Sequence, residues 1–359
     1  MDGVDAALLW TDGGARIDPV AFHCRPYAAP ERAALRAAMA EARRLDIRRV
    51  TPAIAEATRI VTHAHAEAVA TLLAQAGALR PELVGFHGQT IAHRPDLGWT
   101  WQIGNGPALA RRLGLPVVHD LRSADMAAGG QGAPLLPVFH RALIDQARAG
   151  DEPVAILNLG GVANITWLGT GLGQWLSFDT GPANALIDDW VRGTTGQAWD
   201  EGGALAAAGH VQPHVLARLL DHPFFAAPPP KSLDRDAFAA APVEGLSAAD
   251  GAATLTAFTA AGVARAFAHL PAPPARLLVT GGGRHNRTMI AMLSRMLPCP
   301  VHPVEALGWD GDALEAQAFG YFAVRHVTGR PITFPETTGC AAPTVGGVLA
   351  LPDDPAPLG

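Results

Sequence analysis

Residues 151–190 constrain the chain more than any other stretch. Two apolar runs, Val154–Leu159 and Val162–Leu168, flank the pair Gly160 and Gly161. That pattern predicts a β-hairpin whose turn needs residues free to take φ > 0. A third apolar run, residues 175–178, ends in Asp179 and is followed by Thr180, Gly181 and Pro182. A helix is expected from about Ala183, carrying Leu186, Ile187 and Trp190 at helical spacing. A carboxylate at a strand's end, beside backbone that glycine frees to approach a ligand, suits phosphate and general-base chemistry. The same residues also suit an ordinary hairpin followed by an N-cap or Asx turn.

The rest of the chain alternates between strands and helices around that stretch. Residues 4–11 and 15–22 read as paired strands about a turn at Asp12, Gly13 and Gly14. Residues 30–45 and 52–76 read as helices, each opening with proline. His63 and His65 on the second are two apart and do not share a face, so no metal pair is expected there. A short buried strand, 83–86, runs into His87, Gly88, Gln89 and Thr90. Strand Trp99–Ile103, helix 105–113 and strand 116–118 follow, then a glycine-rich loop at 127–134 and a helix at 135–148. Beyond the hairpin come a proline-rich loop at 223–230 and a long helix at 249–269. Strand Arg276–Thr280 is broken by Gly281, Gly282 and Gly283 before a helix at 286–297. An amphipathic helix at 312–325 carries Glu315, and residues 345–351 suit an edge strand. The pattern predicts an α/β protein of two lobes meeting at a hinge. The expected boundaries give lobe I residues 1–122 plus 332–359, and lobe II residues 123–331.

Composition narrows the function classes. The 359 residues are 49% hydrophobic and 17% charged, which is globular and long enough for two cores. A net charge of −6 offers no electrostatic attraction for nucleic acid or an anionic membrane. No apolar run approaches the roughly 18 residues needed to span a bilayer, and the start M-D-G-V-D lacks signal-peptide character. Cys24, Cys299 and Cys340 are too far apart for a disulfide framework or a metal site, and fit a reducing cytoplasm.

Several loops are candidates for chemistry. In residues 158–164 (N-L-G-G-V-A-N), Asn158 and Asn164 flank the glycines, whose backbone N–H groups suit phosphate oxygens. Gly281, Gly282 and Gly283 let a nucleotide lie against backbone, but Arg284, His285 and Asn286 break a dinucleotide fingerprint, and no Walker P-loop is present. Asp120 and Arg122 suit either an anion-binding fork beside a carboxylate or a structural ion pair. Glu315 is by default a solvated helix residue unless its face meets a cleft. Jointly these loops argue for a nucleotide phosphate site.

In this order the segments resemble the anhydro-N-acetylmuramic acid kinases over most of the chain. The resemblance is carried by His87-Gly88-Gln89-Thr90, Trp101-Gln102-Ile103-Gly104, Asp120-x-Arg122 and Gly129-Gly130-Gln131-Gly132-Ala133-Pro134. It continues through N-L-G-G-V-A-N-I-T at 158–166, F-D-T-G-P-A-N at 178–184, Pro230-Lys231-Ser232, Gly281-Gly282-Gly283-x-x-Asn286 and Glu315-Ala316. It implies the two-lobed sugar kinase/Hsp70/actin (ribonuclease H-like) fold with an ATP cleft between lobes, using ATP and Mg²⁺. The implied reaction converts 1,6-anhydro-N-acetylmuramic acid to N-acetylmuramic acid 6-phosphate with hydrolytic opening of the anhydro ring, in cytoplasmic peptidoglycan recycling. The resemblance makes Asp179 the base that activates water. It gives Asn158, Gly160, Gly161, Asn164, Gly281, Gly282, Gly283 and Asn286 to the nucleotide, and His87, Gly88, Gln89, Thr90, Arg122 and Glu315 to the sugar, with Arg122 on its carboxylate. The metal ligands stay unassigned, and a homodimer is the suggested assembly. The alternatives are a kinase for another sugar and a catalytically impaired ATP-binding protein of the same fold. Two departures stand out. The family's opening G-x-M-S-G-T-S-x-D-G-V-D is represented only by Met1-Asp2-Gly3-Val4-Asp5. That implies further residues ahead of Met1; a chain without them would lack a strand and half the phosphate grip. Ala183 stands where glycine is usual, which matters only if the backbone there needs φ > 0.

Overall fold

The computed structural model describes residues 3–147, 149, 151–171, 173–233, 238 and 241–354. In chain order, β1 (Gly3–Thr11) and β2 (Ile17–Pro26) pair, followed by α1 (Ala29–Ala42) and α2 (Pro52–Gln75). Next come β3 (Val84–Gly85), β4 (Gln89–Arg94), β5 (Trp99–Ile103), α3 (Gly106–Leu113), β6 (Val117–His119), α4 (Ser123–Ala127) and α5 (Pro137–Gln146). The middle of the chain gives β7 (Val154–Leu159), β8 (Val162–Leu168), β9 (Trp175–Pro182), α6 (Asn184–Thr195), α7 (Ala204–Ala208), α8 (Pro213–Leu220) and α9 (Pro223–Ala226). It continues with α10 (Ala248–Ala266), β10 (Arg276–Thr280), α11 (Arg287–Met296) and β11 (Val301–Pro303). The end of the chain adds α12 (Leu314–Val327), α13 (Pro335–Thr338) and β12 (Val348–Ala350).

Two compact units result: Met1–Gln146 with Ala313–Gly359, and Ala147–Asp312. The first crossing thus lies later than the expected 122/123, and the second earlier than 331/332. The reason is packing. The side chain of Gln146, closing α5, accepts from Ile17 N at 2.7 Å and donates to Ile17 O at 2.8 Å, tying that helix to β2. Helix α12 is held to the β1–β2 turn, with Arg325 donating to Gly13 O and Tyr321 Oη to Gly14 O.

In the first unit, helix starts follow local chemistry. Thr51 caps α2 ahead of Pro52, and Asn105 caps α3, which ends on left-handed Gly114. Val4, Leu35, Ile54, Val61, Leu72, Phe86, Leu109 and Val117 form its core. The strands lie in three sets: β1 antiparallel to β2, β12–β6–β3, and β4 antiparallel to β5. Strands β1 and β3 each pair on one side only among the described strands. A cavity of about 860 Å³ runs along every residue of β1 and along residues 83–90, with side chains of α2 and α12 completing its wall.

The second unit holds a five-stranded sheet in the order β11-β10-β7-β8-β9. Strands β7, β10 and β11 are parallel, while β8 and β9 run antiparallel to their neighbours. Counted within the unit from β9's edge, the order is 3-2-1-4-5, the ribonuclease H-like arrangement expected from the family resemblance. The continuous apolar runs of β7 and β10 are those of strands covered on both faces. Helix α10, capped by Ser247 and rich in alanine, is buried along almost its whole length, and small residues let it lie close: a Cβ at Gly262 would sit 3.0 Å from Thr180 O.

Several local expectations change. The 223–230 loop contains the short helix α9, and α4 forms just after Arg122, in a stretch the sequence leaves unassigned, and reaches the first residue of the expected 127–134 loop. Strand β9 does not stop at Phe178 but runs to Pro182, so Asp179 lies inside it. The hairpin at Gly160 and Gly161 exists, but neither glycine is among those with positive φ, and the last paired residues on either side are Leu159 and Ala163. Their carbonyls explain the turn better: Gly160 O accepts from Asn184 N, and Gly161 O from Ala183 N and Ala185 N. Ala183 has φ −132°, so it needs no glycine.

Candidate functional site

In the second unit the sheet register assembles the polar residues that lie apart in sequence. Thr280 on β10 pairs with Asn158 on β7, Asn158 with Asn164 on β8, and Asn164 with Asp179 on β9. The four therefore form one row across four strands. A bulge between Ala163 and Asn164 makes Thr180 the extra residue, since Ala163 is opposite Gly181 and Asn164 opposite Asp179. Bulges re-aim side chains and are over-represented beside active sites. Phe178 is fully buried in the core, so alternation turns Asp179 to the other face of the sheet.

Asp179 is held from a loop that carries a sequence motif without an assigned role. Its N–H donates to Lys231 O at 3.0 Å, and its Oδ2 accepts from Leu233 N at 2.6 Å. Lys231 is itself fixed: its ammonium donates to Phe224 O at 3.0 Å and lies over the rings of Phe224, at 4.7 Å, and Phe178, at 5.6 Å. Burial lowers its pKa. On the other side, Thr259 of α10 donates to Pro182 O, steadying the strand beyond Asp179.

The glycine loop after β10 meets the same row. Gly281 has φ +77°, and a Cβ there would press on Asn158 Oδ1 and lie 2.7 Å from Leu159 O. Only glycine permits that approach. Gly283 is equally confined, since a Cβ there would lie 2.6 Å from Leu159 Cβ, whereas Gly282 faces open space. Asn184 donates to Leu159 O and Gly160 O, linking the hairpin to α6. Asn286, expected at the nucleotide, also has a local role: its Oδ1 accepts from Met289 N and caps α11. Arg284, unassigned by sequence, pins the loop. It donates to Gly281 O at 3.1 Å, Glu305 at 2.8 Å and Asp312 at 2.9 Å while its side chain is almost fully buried. Its only sequence signal is an arginine directly after three glycines.

In the first unit, His87, Gly88, Gln89, Thr90, Arg122 and Glu315 all line the one cavity, together with Asp5. Gln89 and Thr90 begin β4, and Gln102 donates to Thr90 Oγ1 at 3.1 Å. Asp120 accepts from Ser123 Oγ at 2.6 Å, while Arg122 donates to His87 Nε2 and to Gly132 O. The loop carrying Gly132 is held by Asp125, which accepts from Gly132 N at 2.7 Å and from Thr338 Oγ1 at 2.6 Å. Glu315 is exposed, but into the cavity and not onto an outer helix face. The enclosing protein raises its pKa, Arg122 opposes that shift and Asp5 adds to it. Burial lowers the pKa of His87 well below the usual histidine value, with the Arg122 charge acting in the same direction. His65, also on the cavity wall, is lowered to about 4 by burial.

Among the described residues no group of three or more His, Cys, Asp or Glu side chains is arranged to hold a metal ion. No helix among them is long and apolar enough to cross a membrane. The arrangement offers one unit with a fixed carboxylate in a neutral amide row beside a glycine loop, and another with a cationic fork and a carboxyl in a polar cavity wall.

The family model for anhydro-N-acetylmuramic acid kinase matches residues 1–352. A relative from Rhizorhabdus wittichii, described as anhydro-N-acetylmuramic acid kinase, is 59% identical over 355 residues, covering 98% of this chain and 96% of that protein. One from Rhodospirillum rubrum with the same description is 53% identical, covering 97% of this chain and 90% of that protein. Among solved structures, the activator of the 2-hydroxyisocaproyl-CoA dehydratase from Clostridium difficile with bound ADPNP aligns with 91% of this chain and 96% of its own, at a TM-score of 0.43 and 12% identity. That likeness is too weak to bear on function.

Proposed function

The chain belongs to the anhydro-N-acetylmuramic acid kinase family, and on that premise we propose that it phosphorylates O6 of 1,6-anhydro-N-acetylmuramic acid from ATP while water opens the anhydro bridge. The product is N-acetylmuramic acid 6-phosphate, and the role is recovery of peptidoglycan sugars. The enzyme is a phosphotransferase. Asp179 takes a proton from water as its oxygen bonds to C1. The C1–O6 bond breaks, O6 bonds to the γ-phosphorus, and ADP departs. The observation that carries this reading is the row Thr280–Asn158–Asn164–Asp179, which ends in a clamped carboxylate and includes the Asn158 on which the Gly281 turn packs.

Phosphoryl transfer asks the protein mainly for positioning and charge stabilisation. The backbone at Gly160, Gly161, Gly281, Gly282 and Gly283, with Asn158 and Asn164, supplies the nucleotide side of the reaction. In phosphoryl-transfer sites Mg²⁺ is generally held chiefly by substrate phosphates, so the lack of a three-ligand cluster among the described residues does not count against it. Asn158 and Asn164 have the hard amide oxygens that suit it, and bound there it would neutralise phosphate charge. Arg122 meets the sugar carboxylate through its planar fork, with His87 on the sugar side acting through Arg122, and Gly88, Gln89, Thr90 and Glu315 contact the sugar.

Incubation with ATP and the anhydro sugar tests the proposal by mass spectrometry. One phosphoryl group and one water are expected on the sugar, with one ADP per product. A phosphorylated sugar that retains its anhydro bridge, or ATP bound without turnover under the same conditions, overturns it.

A further inference from the structure

Three sequence motifs of the first unit converge on one guanidinium. His87 leaves β3, and Gly88 follows with φ +73°, a conformation in which a Cβ would strike Ile103 O. That turn brings Gly88 O to 3.0 Å from His87 Nδ1. A carbonyl only accepts, so Nδ1 carries the proton and Nε2 holds a lone pair. The lone pair receives Arg122 Nε–H at 2.9 Å. The imidazole plane is set independently by stacking on Phe319, centroids 4.6 Å apart and planes inclined by 27°. The far side of the guanidinium is set by Gly132 O, which accepts from Nη1 at 2.6 Å. Gly132 is anchored through Asp125 to Thr338. Two acceptors of fixed position on different guanidinium nitrogens define the plane of a group that on its own stem is mobile.

We propose that His87 is a positioning residue: its Nε2 lone pair aims the Arg122 fork and so makes the enzyme prefer a sugar carrying a carboxylate over the same sugar with that acid masked. This rests on the assignment of Arg122 to the substrate carboxylate. The ring must stay neutral for the role, because an imidazolium would turn Nε2–H against the guanidinium. Burial and the Arg122 charge both favour the neutral ring.

The test compares His87→Phe, which keeps a ring to stack on Phe319 but has no acceptor, with His87→Gln, whose amide oxygen reaches the Nε2 position. With 1,6-anhydro-N-acetylmuramic acid, His87→Phe is expected to raise KM about tenfold, in line with loss of one hydrogen bond to a charged group, and to change kcat far less. The methyl ester of the same sugar is expected to show no such change, and His87→Gln to recover most of the loss. Equal KM for His87→Phe and the unaltered enzyme on the acid, or equal losses on acid and ester, overturns the proposal. A second readout needs no substrate. Nitrogen-15 spectra of the ligand-free protein at pH 7 are expected to show His87 protonated at Nδ1 and an Arg122 Nε–H signal that shifts in His87→Phe. An Nε2–H tautomer, or an unmoved Arg122 signal, overturns the positioning role even if the unaltered enzyme proves not to use the acid sugar.

Discussion

Replacing Asp179 by asparagine separates its chemical role from its structural one. The carboxylate accepts from Leu233 N at 2.6 Å, and the Asp179 N–H donates to Lys231 O. Asparagine keeps the backbone bond and offers an amide oxygen to Leu233 N, so that hydrogen bond loses its charge assistance. A bond to a charged acceptor is worth about 1.5–3 kcal/mol and a neutral one about 1, so the expected destabilisation is about 1 kcal/mol. For a unit of this size that lowers the melting temperature by roughly 2–4 °C. Catalysis loses a proton acceptor outright, and positioned general bases contribute about 10²–10⁴ in rate. ADP release measured in a coupled assay is expected to fall by that factor, while ATP affinity by calorimetry changes less than threefold. Turnover within fivefold of the parent, in a protein that melts within the stated range, would refute the assignment of Asp179 as base. Asp179→Ala provides the structural contrast: it strands Leu233 N and should cost about 1–3 kcal/mol.

Gly281→Ala forces a side chain into a left-handed conformation against Asn158 and Leu159; it should cost about 2–4 kcal/mol by strain and overpacking and weaken ATP binding, and an unchanged melting curve with unchanged affinity would count against the close approach. The Glu31 carboxyl is held below its ordinary pKa of 4.5, chiefly by the Arg25 hydrogen bonds. A depressed acid stabilises the fold above its unfolded pKa and loses that contribution as pH falls through the folded value. Melting temperatures below about pH 4.5 should therefore fall more steeply for the parent than for Glu31→Gln, and parallel curves would show that the pair contributes nothing.

Much of the architecture is legible in the sequence because local chemistry dictates it. Apolar runs with sharp polar ends, as in Val154–Leu159 and Arg276–Thr280, admit little except buried strands, and both appear at the expected positions. Thr51 before Pro52 and Asn105 ahead of α3 mark helix starts through bonds made within four residues. The Gly-Gly pair does close a hairpin, but not for the conformational reason its sequence suggests. Its glycines are needed where their carbonyls meet the start of α6, a contact no local rule contains.

What the chain determined unaided was which residues are candidates for chemistry and which segments are strand or helix, since those depend on near neighbours. What tertiary structure alone decided was their company. Asn158, Asn164, Asp179 and Thr280 become a row only through strand register, and regular pairing as far as Asp179 keeps it on the face opposite buried Phe178. Arg122 acquires its orientation from a histidine 35 positions earlier and a loop 10 positions later. Arg284 and Lys231 matter because burial removes water as a competitor for their charges, and burial is a property of the packed unit rather than of any short stretch.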